Sequence, residues 1–223
     1  MSHATSDPSP PQKAGAEFVA AILRDRIVKG DLTPNERIVE RRLSAELNVS
    51  RTPVREALKL IEADGLIEIT LHRGAVVSPF RAEDAFALFD VISVLESLAA
   101  KRVCETLTPA TLRHLEDLHG EMLDHHRAGR INDYFDVNTV IHDFVISRAD
   151  NPVLMSTHEK LMIRARRGRF LAIMNPTRLA QAVSEHEALM VAFRTGRPED
   201  AAYVWAAHLQ HTGDSVANAL AQS

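Results

Sequence analysis

Cysteine is nearly missing from this sequence of 223 residues, in which Cys104 is the single example. One cysteine can form neither an intrachain disulfide nor a four-cysteine zinc module, and this scarcity favours a reducing, cytoplasmic location. Aromatic residues make up only 5% of the chain, and there are nine glycines and ten prolines. This composition favours helices over a turn-rich β-sandwich. Because no apolar run approaches the roughly 18 residues that cross a bilayer, we expect no membrane contact.

The sequence also lacks the positive charge that is common in proteins that bind nucleic acid by charge alone, since its net charge is −4. The charges are unevenly distributed. Residues 41–59 carry five basic and two acidic side chains, whereas residues 81–223 carry 15 basic and 19 acidic ones. If the chain binds DNA, we predict that it does so through residues 41–59.

Helical patterns dominate the N-terminal part of the chain. We expect residues 1–12 to be disordered, and apolar spacing predicts helices over residues 14–29 and 39–47. A third helix follows, with Ser50 as its N-cap, Thr52 in its first turn and Gly65 at its end. Two helices joined by a turn of about three residues are typical of a helix-turn-helix.

Two short β-branched segments, residues 66–70 and 75–77, come next and are separated by Arg73 and Gly74 at a predicted turn. They predict a β-hairpin, or wing, after the third helix. The winged helix-turn-helix domain is therefore expected to span residues 13–78.

Residues 79–223 carry helical patterns without a strand signal. The patterns are broken where a cap or proline begins a helix, at Thr108-Pro109, Gly129, Asn151-Pro152, Asn175-Pro176 and Gly196-Arg197-Pro198. We predict an antiparallel six-helix bundle that forms an all-helical ligand-binding domain. The predicted fold class is mainly α, an N-terminal winged helix-turn-helix followed by this bundle.

The third helix has a basic face beside its apolar face. Arg51, Arg55 and Lys59 occupy an arc of about 80° next to the apolar residues. Arginine makes bidentate contacts with guanine in the major groove, where all four base pairs are distinguishable. Ser50, Thr52 and the amides of the helix N-terminus suit phosphate. The alternative is a solvated surface whose charges pair with Glu56 or Glu62.

The segment from Leu32 to Val77 contains the run ERRLSAELNVSRTPVREAL, followed by DGLI and HRGAVV. It resembles the winged-helix domain of the GntR family of bacterial regulators. The resemblance implies that Arg41, Arg51, Arg55 and the Arg73-Gly74 wing contact DNA. Arg41 and Arg51 would hold phosphates or base edges, Arg55 would read a base, and the wing would reach the minor groove. It also implies a homodimer on a palindromic double-stranded operator.

Three histidines of the bundle fall within apolar stripes of separate helices. Asn138 and His142 are one turn apart, and His186 and His208 lie in later stripes. An unpaired buried polar group costs about 1–3 kcal/mol, so each needs a partner. Neutral imidazole is a frequent ligand of zinc and similar divalent ions, and facing helices of a bundle can assemble such sites. The alternative for each histidine is an ordinary hydrogen bond in the core.

This region is similar to the ligand-binding domain of the FadR-like branch of the family, in its VanR-type subgroup. Asn138 and His142 match its Asp/Asn-x-x-x-His motif, Glu185-His186 matches its later Glu-His, and His208 matches the histidine of its last helix. The resemblance implies a divalent metal, zinc with nickel or manganese as alternatives, beside a small-molecule effector such as an organic acid. Asn138 stands where Asp is common, and Ile92 stands where the family often has an effector-binding arginine.

Four arginines offer replacements for that missing cation. Arg164, Arg166, Arg167 and Arg169 scatter around one helix, so at least one must turn away from solvent. Arg164 and Arg166 are the candidate effector contacts. The alternative is a fully solvated face.

The predicted function is a ligand-responsive transcriptional repressor that releases its operator when the effector binds. A metal sensor, in which the metal itself is the signal, is an alternative. A metal-dependent hydrolase is another, because three histidines and an amide around an ion with an open position could activate water. A hydrolase would also need a neighbouring acid or base, and only Glu185 lies close in sequence. We therefore expect no enzymatic activity.

Overall fold

The computed structural model describes residues 15–70 and 74–222. These residues form two hydrophobic cores, one in the N-terminal part and one in the helical bundle. The predicted fold class, a winged helix-turn-helix followed by a six-helix bundle, is confirmed. The predicted disordered segment 1–12 and Arg73 of the wing lie outside the described residues.

The N-terminal domain contains the helices α1 (Ala16–Lys29), α2 (Glu40–Glu46) and α3 (Arg51–Ala63). As predicted, α3 buries one apolar face, formed by Val54, Ala57, Leu58 and Ile61. The chain leaves α3 at Gly65, whose φ of 74° lies in the left-handed region that favours glycine. Ser50 is the N-cap residue, but its side chain makes no capping hydrogen bond.

The wing is a small antiparallel sheet with the strand order β1-β3-β2, in which β1 is Arg37–Ile38, β2 is Ile67–Thr70 and β3 is Gly74–Val77. The predicted hairpin corresponds to β2 and β3, which pair from Ile67 with Val77 to Thr70 with Gly74. The sequence did not predict β1, because two residues are too few for an alternating pattern. It pairs with the edge of β3 that lies opposite to β2, and it thereby connects the sheet with the loop before α2.

The second domain is a bundle of the helices α4 (Ala82–Glu105), α5 (Pro109–Arg127), α6 (Ile131–Arg148), α7 (Pro152–Ile173), α8 (Pro176–Arg194) and α9 (Pro198–Ala221). Four of them begin with the predicted prolines, and Thr108, Asn151 and Asn175 cap α5, α7 and α8 through their side chains. The central helices are α4 and α9, which pack along each other. In the described part of the chain, no helix combines the length and apolarity needed to cross a membrane.

The helix α7 contacts both domains. On its outer side, Ile163 packs against the N-terminal core, and Nη1 of Arg167 donates a 3.0 Å hydrogen bond to the carbonyl of Ser78. Between the domains, Lys29 of α1 forms a 3.3 Å ion pair with Asp136 of α6. On its inner side, α7 buries His158 and Arg169 in the bundle. The helix α7 therefore connects the winged helix with the bundle interior.

Candidate functional site

The predicted DNA-contacting side chains of α2 and α3 lie together on one exposed surface. Arg41, Ser50, Arg51, Thr52 and Arg55 are all exposed. Gly74, the first residue of β3, is half-buried beside Arg37, and its φ of 72° is in the left-handed region. This surface combines cations, hydroxyl groups and a free helix N-terminus, which are the groups that bind phosphates and base edges.

The two arginines of α3 are held by a carboxylate of α2. Oε2 of Glu40 lies 2.9 Å from Nε of Arg55 and 3.5 Å from Nη2 of Arg51. Glu56 pairs instead with Lys59, at 3.0 Å, and Glu62 accepts a hydrogen bond from the backbone of Ile69. Since both arginine side chains are about 60% exposed, these pairs are weak and can exchange for contacts with DNA.

The three predicted histidines meet inside the bundle. His142 of α6, His186 of α8 and His208 of α9 are buried, and one ring nitrogen of each lies within 4.8 Å of the other two. Within the described residues, Nε2 of His142, Nε2 of His186 and Oδ1 of Asn138 are buried without a hydrogen-bond partner. Asn138 is on α6, one turn before His142. These unused N and O atoms are of the kind that bind divalent cations.

Two carboxylates hold the outer sides of these rings. Glu96 of α4 accepts hydrogen bonds from Nδ1 of His142 at 2.5 Å, Nε2 of His158 at 2.9 Å and Nε1 of Trp205 at 2.6 Å. The carboxylate of Glu185 lies 2.7 Å from Nδ1 of His208. A carboxylate on the second nitrogen fixes the tautomer of a metal-binding histidine and increases its basicity. The Nε2 atoms of His142 and His208 are thus left to face the cluster.

Burial keeps the histidine cluster neutral. It lowers the pKa of His142 from 6.5 to about 3, with a further lowering by the charge of Arg169, and it lowers the pKa of His186 and His208. Burial disfavours the charged form of Glu185, but the hydrogen bond from His208 and the charge of Arg178 outweigh this effect and lower its pKa to about 2. Neutral imidazole is the form that binds a metal ion.

The structure does not bring Arg164 and Arg166 to the histidines. Both side chains are more than 40% exposed and pair with Asp84 and Asp143 on the outside of the bundle. The inward-facing arginine of α7 is Arg169, because it alone of the four continues the buried stripe of α7, and it is 2% exposed. Arg164 and Arg166 remain predictions as effector contacts, but their position does not favour that role.

Sequence reasoning missed a second buried guanidinium, Arg178, which is 4% exposed. Its Nη2 donates hydrogen bonds to the carbonyl of His208 and to Thr212, both at 2.8 Å, and pairs with Glu185 at 3.0 Å. Arg178 precedes His186 by eight residues and shares its helix face, as does buried Ala182. This spacing was the signal that could have identified it.

An exposed basic helix on a winged domain, joined to a helical bundle with a buried polar site, is the architecture of a two-domain DNA-binding regulator. Residues 15–77 match the family model described as "Bacterial regulatory proteins, gntR family", and residues 87–211 match the FCD domain. The chain belongs to the GntR family and carries an FCD domain.

Similar proteins agree with this assignment. The "Nta operon transcriptional regulator" of Aminobacter aminovorans is 29% identical over 82% of this chain and 85% of its own. The "HTH-type transcriptional repressor RspR" of Escherichia coli (strain K12) is 26% identical over 87% of this chain and 86% of its own. Among solved structures, "E. coli McbR/YncC" shares the fold with a TM-score of 0.77 at 22% identity, covering 89% of this chain and 95% of its own. The protein is therefore a DNA-binding transcriptional regulator and not an enzyme.

Proposed function

We propose that this regulator is a homodimeric repressor that binds a palindromic operator and leaves it when an organic-acid effector binds beside a divalent metal in the bundle. The observation that carries the sensing part is the convergence of three buried imidazoles from three helices. The metal proposed is zinc, with nickel or manganese as alternatives. The repressor role is supported by the name of the similar protein RspR.

The operator would be read by α3 and approached by the wing. Arg55 lies one turn inside α3, where its guanidinium can reach a guanine edge in the major groove. Arg41, Ser50, Arg51 and Thr52 surround the N-terminus of α3 and would hold the phosphates. Gly74, with Arg73 beside it in sequence, would bring the wing to the minor groove.

The metal would be held by His142, His186 and His208, with the amide oxygen of Asn138 as a fourth ligand. Nε2 of His142, Nε2 of His186 and Oδ1 of Asn138, which are buried without a hydrogen-bond partner among the described residues, fit that role. When bound, the ion would supply a Lewis acid that attracts an anionic oxygen of the effector. Glu96 and Glu185 would keep the rings oriented through their Nδ1 atoms.

A homodimer is supported by an unpartnered apolar stripe on α4. Phe86, Val91, Val94 and Leu98 are 40–66% exposed and fall on one side of the helix. A second copy of the same stripe would cover them in a two-fold arrangement, and two α3 helices would then face neighbouring major grooves.

Effector binding would reach the DNA through α7. Arg169 and His158 lie on the inner side of this helix, whereas Ile163 and Arg167 contact the N-terminal domain on its outer side. A ligand that draws Arg169 inward would tilt α7, change the spacing of the two α3 helices and weaken both half-site contacts together.

Selection of binding sites from a randomised duplex pool with the full chain tests the operator proposal. We expect a palindromic consensus, and we expect Arg55→Ala to lose discrimination at one position of each half-site, by about 1–3 kcal/mol. Arg127→Ala, which removes an exposed bundle arginine, is the charge-matched control. If no consensus emerges, or if Arg55→Ala selects the same one with equal affinity, the proposed reading helix is wrong.

Metal content of the purified chain, measured by mass spectrometry after dialysis against zinc, tests the sensing site. We expect one ion per chain in the wild type and loss of it in His186→Ala. His114→Ala, which changes a histidine packed on Phe144 away from the cluster, should retain the ion. Equal zinc retention by His186→Ala would contradict the site.

Asn138 favours a second candidate function, in which the metal itself is the signal. A neutral amide attracts a cation less strongly than a carboxylate, so binding would be more readily reversible. Operator affinity that follows the zinc concentration without any organic ligand would support the metal sensor. Operator affinity that depends on an organic acid at constant zinc would support the ligand-responsive repressor.

A further inference from the structure

Arg37 of β1 is an exposed cation that the fold leaves without a partner. Within the part of the chain that the structure describes, its side chain forms no hydrogen bond and no ion pair. Arg51 and Arg55, in contrast, both pair with the carboxylate of Glu40. An exposed guanidinium without a carboxylate partner retains its full attraction for an external anion.

The guanidinium of Arg37 lies against the backbone of Gly74, at the start of β3. A Cβ atom at Gly74 would lie 3.7 Å from both Nε and Nη2 of Arg37. Because Arg37 is paired with Val76 across the antiparallel strands, its side chain extends along β3 from Val76 towards the turn of the wing. The positive charge is therefore located at the base of that turn.

The segment from β1 to α2 connects the wing with the N-terminal end of α3. At one end of this segment Arg37 lies beside Gly74, and at the other end Oε2 of Glu40 lies 2.9 Å from Nε of Arg55. In the proposed complex α3 occupies the major groove and the wing reaches the neighbouring minor groove. One sugar-phosphate backbone separates two neighbouring grooves of DNA. A cation between the wing and α3 therefore faces phosphates.

The carboxylates close to Arg37 do not neutralise it. Three of them line, together with Arg37, a cavity of about 350 Å³ between α1, β1 and α2, namely Asp31, Glu36 and Glu46. None of the three forms an ion pair with Arg37. Glu36 accepts hydrogen bonds from the backbone and the hydroxyl of Thr33, at 2.9 and 3.0 Å, and Glu46 forms a 2.5 Å ion pair with Arg26. Arg37 is thus free for a phosphate oxygen, with which a guanidinium forms short, charge-assisted hydrogen bonds.

We propose that Arg37 is a further DNA contact, whose guanidinium binds a phosphate of the backbone between the major-groove helix and the minor-groove wing. Gly74 provides the surface without a side chain on which this guanidinium lies. The inference rests on the proposed docking of α3 and of the wing. A phosphate contact carries no sequence information, so Arg37 fixes the position of the wing on the duplex and adds affinity without discrimination.

The salt dependence of binding to a random-sequence duplex, measured by fluorescence anisotropy with the full chain, tests this contact. We expect Arg37→Gln to reduce the magnitude of the slope of log K against log salt concentration by about 0.9 per bound protomer, which corresponds to roughly eightfold weaker binding per contact at about 0.1 M salt. Arg37→Lys keeps the charge and should retain the wild-type slope. The ratio of the affinities for the selected operator and for random DNA should stay unchanged in Arg37→Gln. An unchanged slope in Arg37→Gln would overturn the proposal.

Arg42→Gln is the local control for charge. Arg42 is also exposed, lines the same cavity and forms no ion pair within the described residues, but its charge acts on Glu36 and Glu46. We expect Arg42→Gln to reduce the slope by less than half as much as Arg37→Gln. Equal reductions in the two variants would show an effect of net charge alone and would overturn the assignment of a phosphate contact to Arg37.

Thermal melts separate a DNA contact from a structural role. Because the side chain of Arg37 forms no hydrogen bond or ion pair with a described residue, Arg37→Gln should melt at the wild-type temperature. A lower melting temperature of Arg37→Gln that Arg37→Lys restores, without a change of salt slope in either variant, would assign Arg37 to the stability of the wing and contradict the proposal.

Failure of this inference is distinguishable from failure of the proposed function. If a palindromic consensus is selected and Arg55→Ala loses discrimination, but Arg37→Gln keeps the wild-type salt slope, only the contact of Arg37 falls. If no consensus emerges although Arg37→Gln reduces the salt slope, the operator proposal falls and the phosphate contact remains.

Discussion

At the scale of single residues, Glu40 is the group that would restrain the proposed DNA-contacting surface. Its carboxylate pairs with both Arg51 and Arg55. In the proposed complex it would orient the two arginines and, through its negative charge, oppose the binding of DNA in general. Both effects would favour a correct site over a random one.

The variant Glu40→Gln should separate affinity from discrimination. Removing the negative charge is expected to raise the affinity for random duplex DNA a few-fold, since exposed ion pairs contribute about 0–1 kcal/mol. The ratio of operator affinity to random-DNA affinity is expected to fall. Fluorescence anisotropy over a range of salt concentrations measures both. Weaker binding to random DNA than in the wild type would contradict this role of the carboxylate.

The buried histidines predict how the stability of the metal-free protein depends on pH. The pKa of His142 is lowered by burial from 6.5 to about 3, so between these values the unfolded chain binds a proton that the folded chain does not. Stability must then fall as pH decreases through this window, by up to about 1.4 kcal/mol per pH unit for each such histidine. Urea unfolding of the chelator-treated chain at pH 7.5 and 5.5 checks this. A flat profile would mean that these rings are hydrated in solution.

At the scale of elements, the close packing of α4 and α9 depends on Gly213. A Cβ atom at this position would lie 2.8 Å from Cβ of Phe89, which is fixed to the α4 backbone. We expect Gly213→Ala to lower the free energy of unfolding by about 1–3 kcal/mol. Gly120→Ala in α5, where a Cβ would meet nothing within 4 Å, should instead stabilise the protein by up to about 1 kcal/mol. Thermal melts of both variants test this expectation. Equal melting temperatures of Gly213→Ala and Gly120→Ala would contradict the packing argument.

The helices of this fold could be predicted because their signals are local. Asn151 followed by Pro152 and Asn175 followed by Pro176 mark helix starts within two residues of sequence, and the structure confirms both. The inward position of Arg169 could also have been predicted from the sequence, because Arg169 continues the helical spacing of His158, Met162 and Ala165 along α7.

Other parts of the candidate site were beyond sequence reasoning. Glu96 of α4 and His142 of α6 are 46 residues apart in sequence. No local pattern determines which carboxylate contacts which histidine ring across that distance. The same holds for Glu40 and Arg55, which meet only because α2 and α3 cross at a particular angle. Long-range contacts of this kind follow from tertiary packing.

At the scale of the whole molecule, the exposed stripe of α4 predicts assembly. Val94 is 66% exposed in the middle of this stripe, and Val153 of α7 is 74% exposed outside it. We expect Val94→Glu to convert a dimer into a monomer and to weaken operator binding at least about tenfold, because two linked half-site contacts become one. Val153→Glu, the matched control, should remain dimeric. Sedimentation velocity measures the change, and a monomeric wild type would contradict the assembly.

The chain has a single tryptophan, Trp205, and its indole lies against the histidine cluster. Its N–H donates to Glu96, the same carboxylate that orients His142, and the rings of Trp205 and His142 are 4.9 Å apart in an edge contact. The molecule thus carries an intrinsic optical reporter beside the histidine cluster. Any event that changes the charge on Glu96 or His142 will change the fluorescence emission of this one indole. Binding of a ligand in the bundle interior can therefore be followed by fluorescence in unlabelled protein while DNA is titrated.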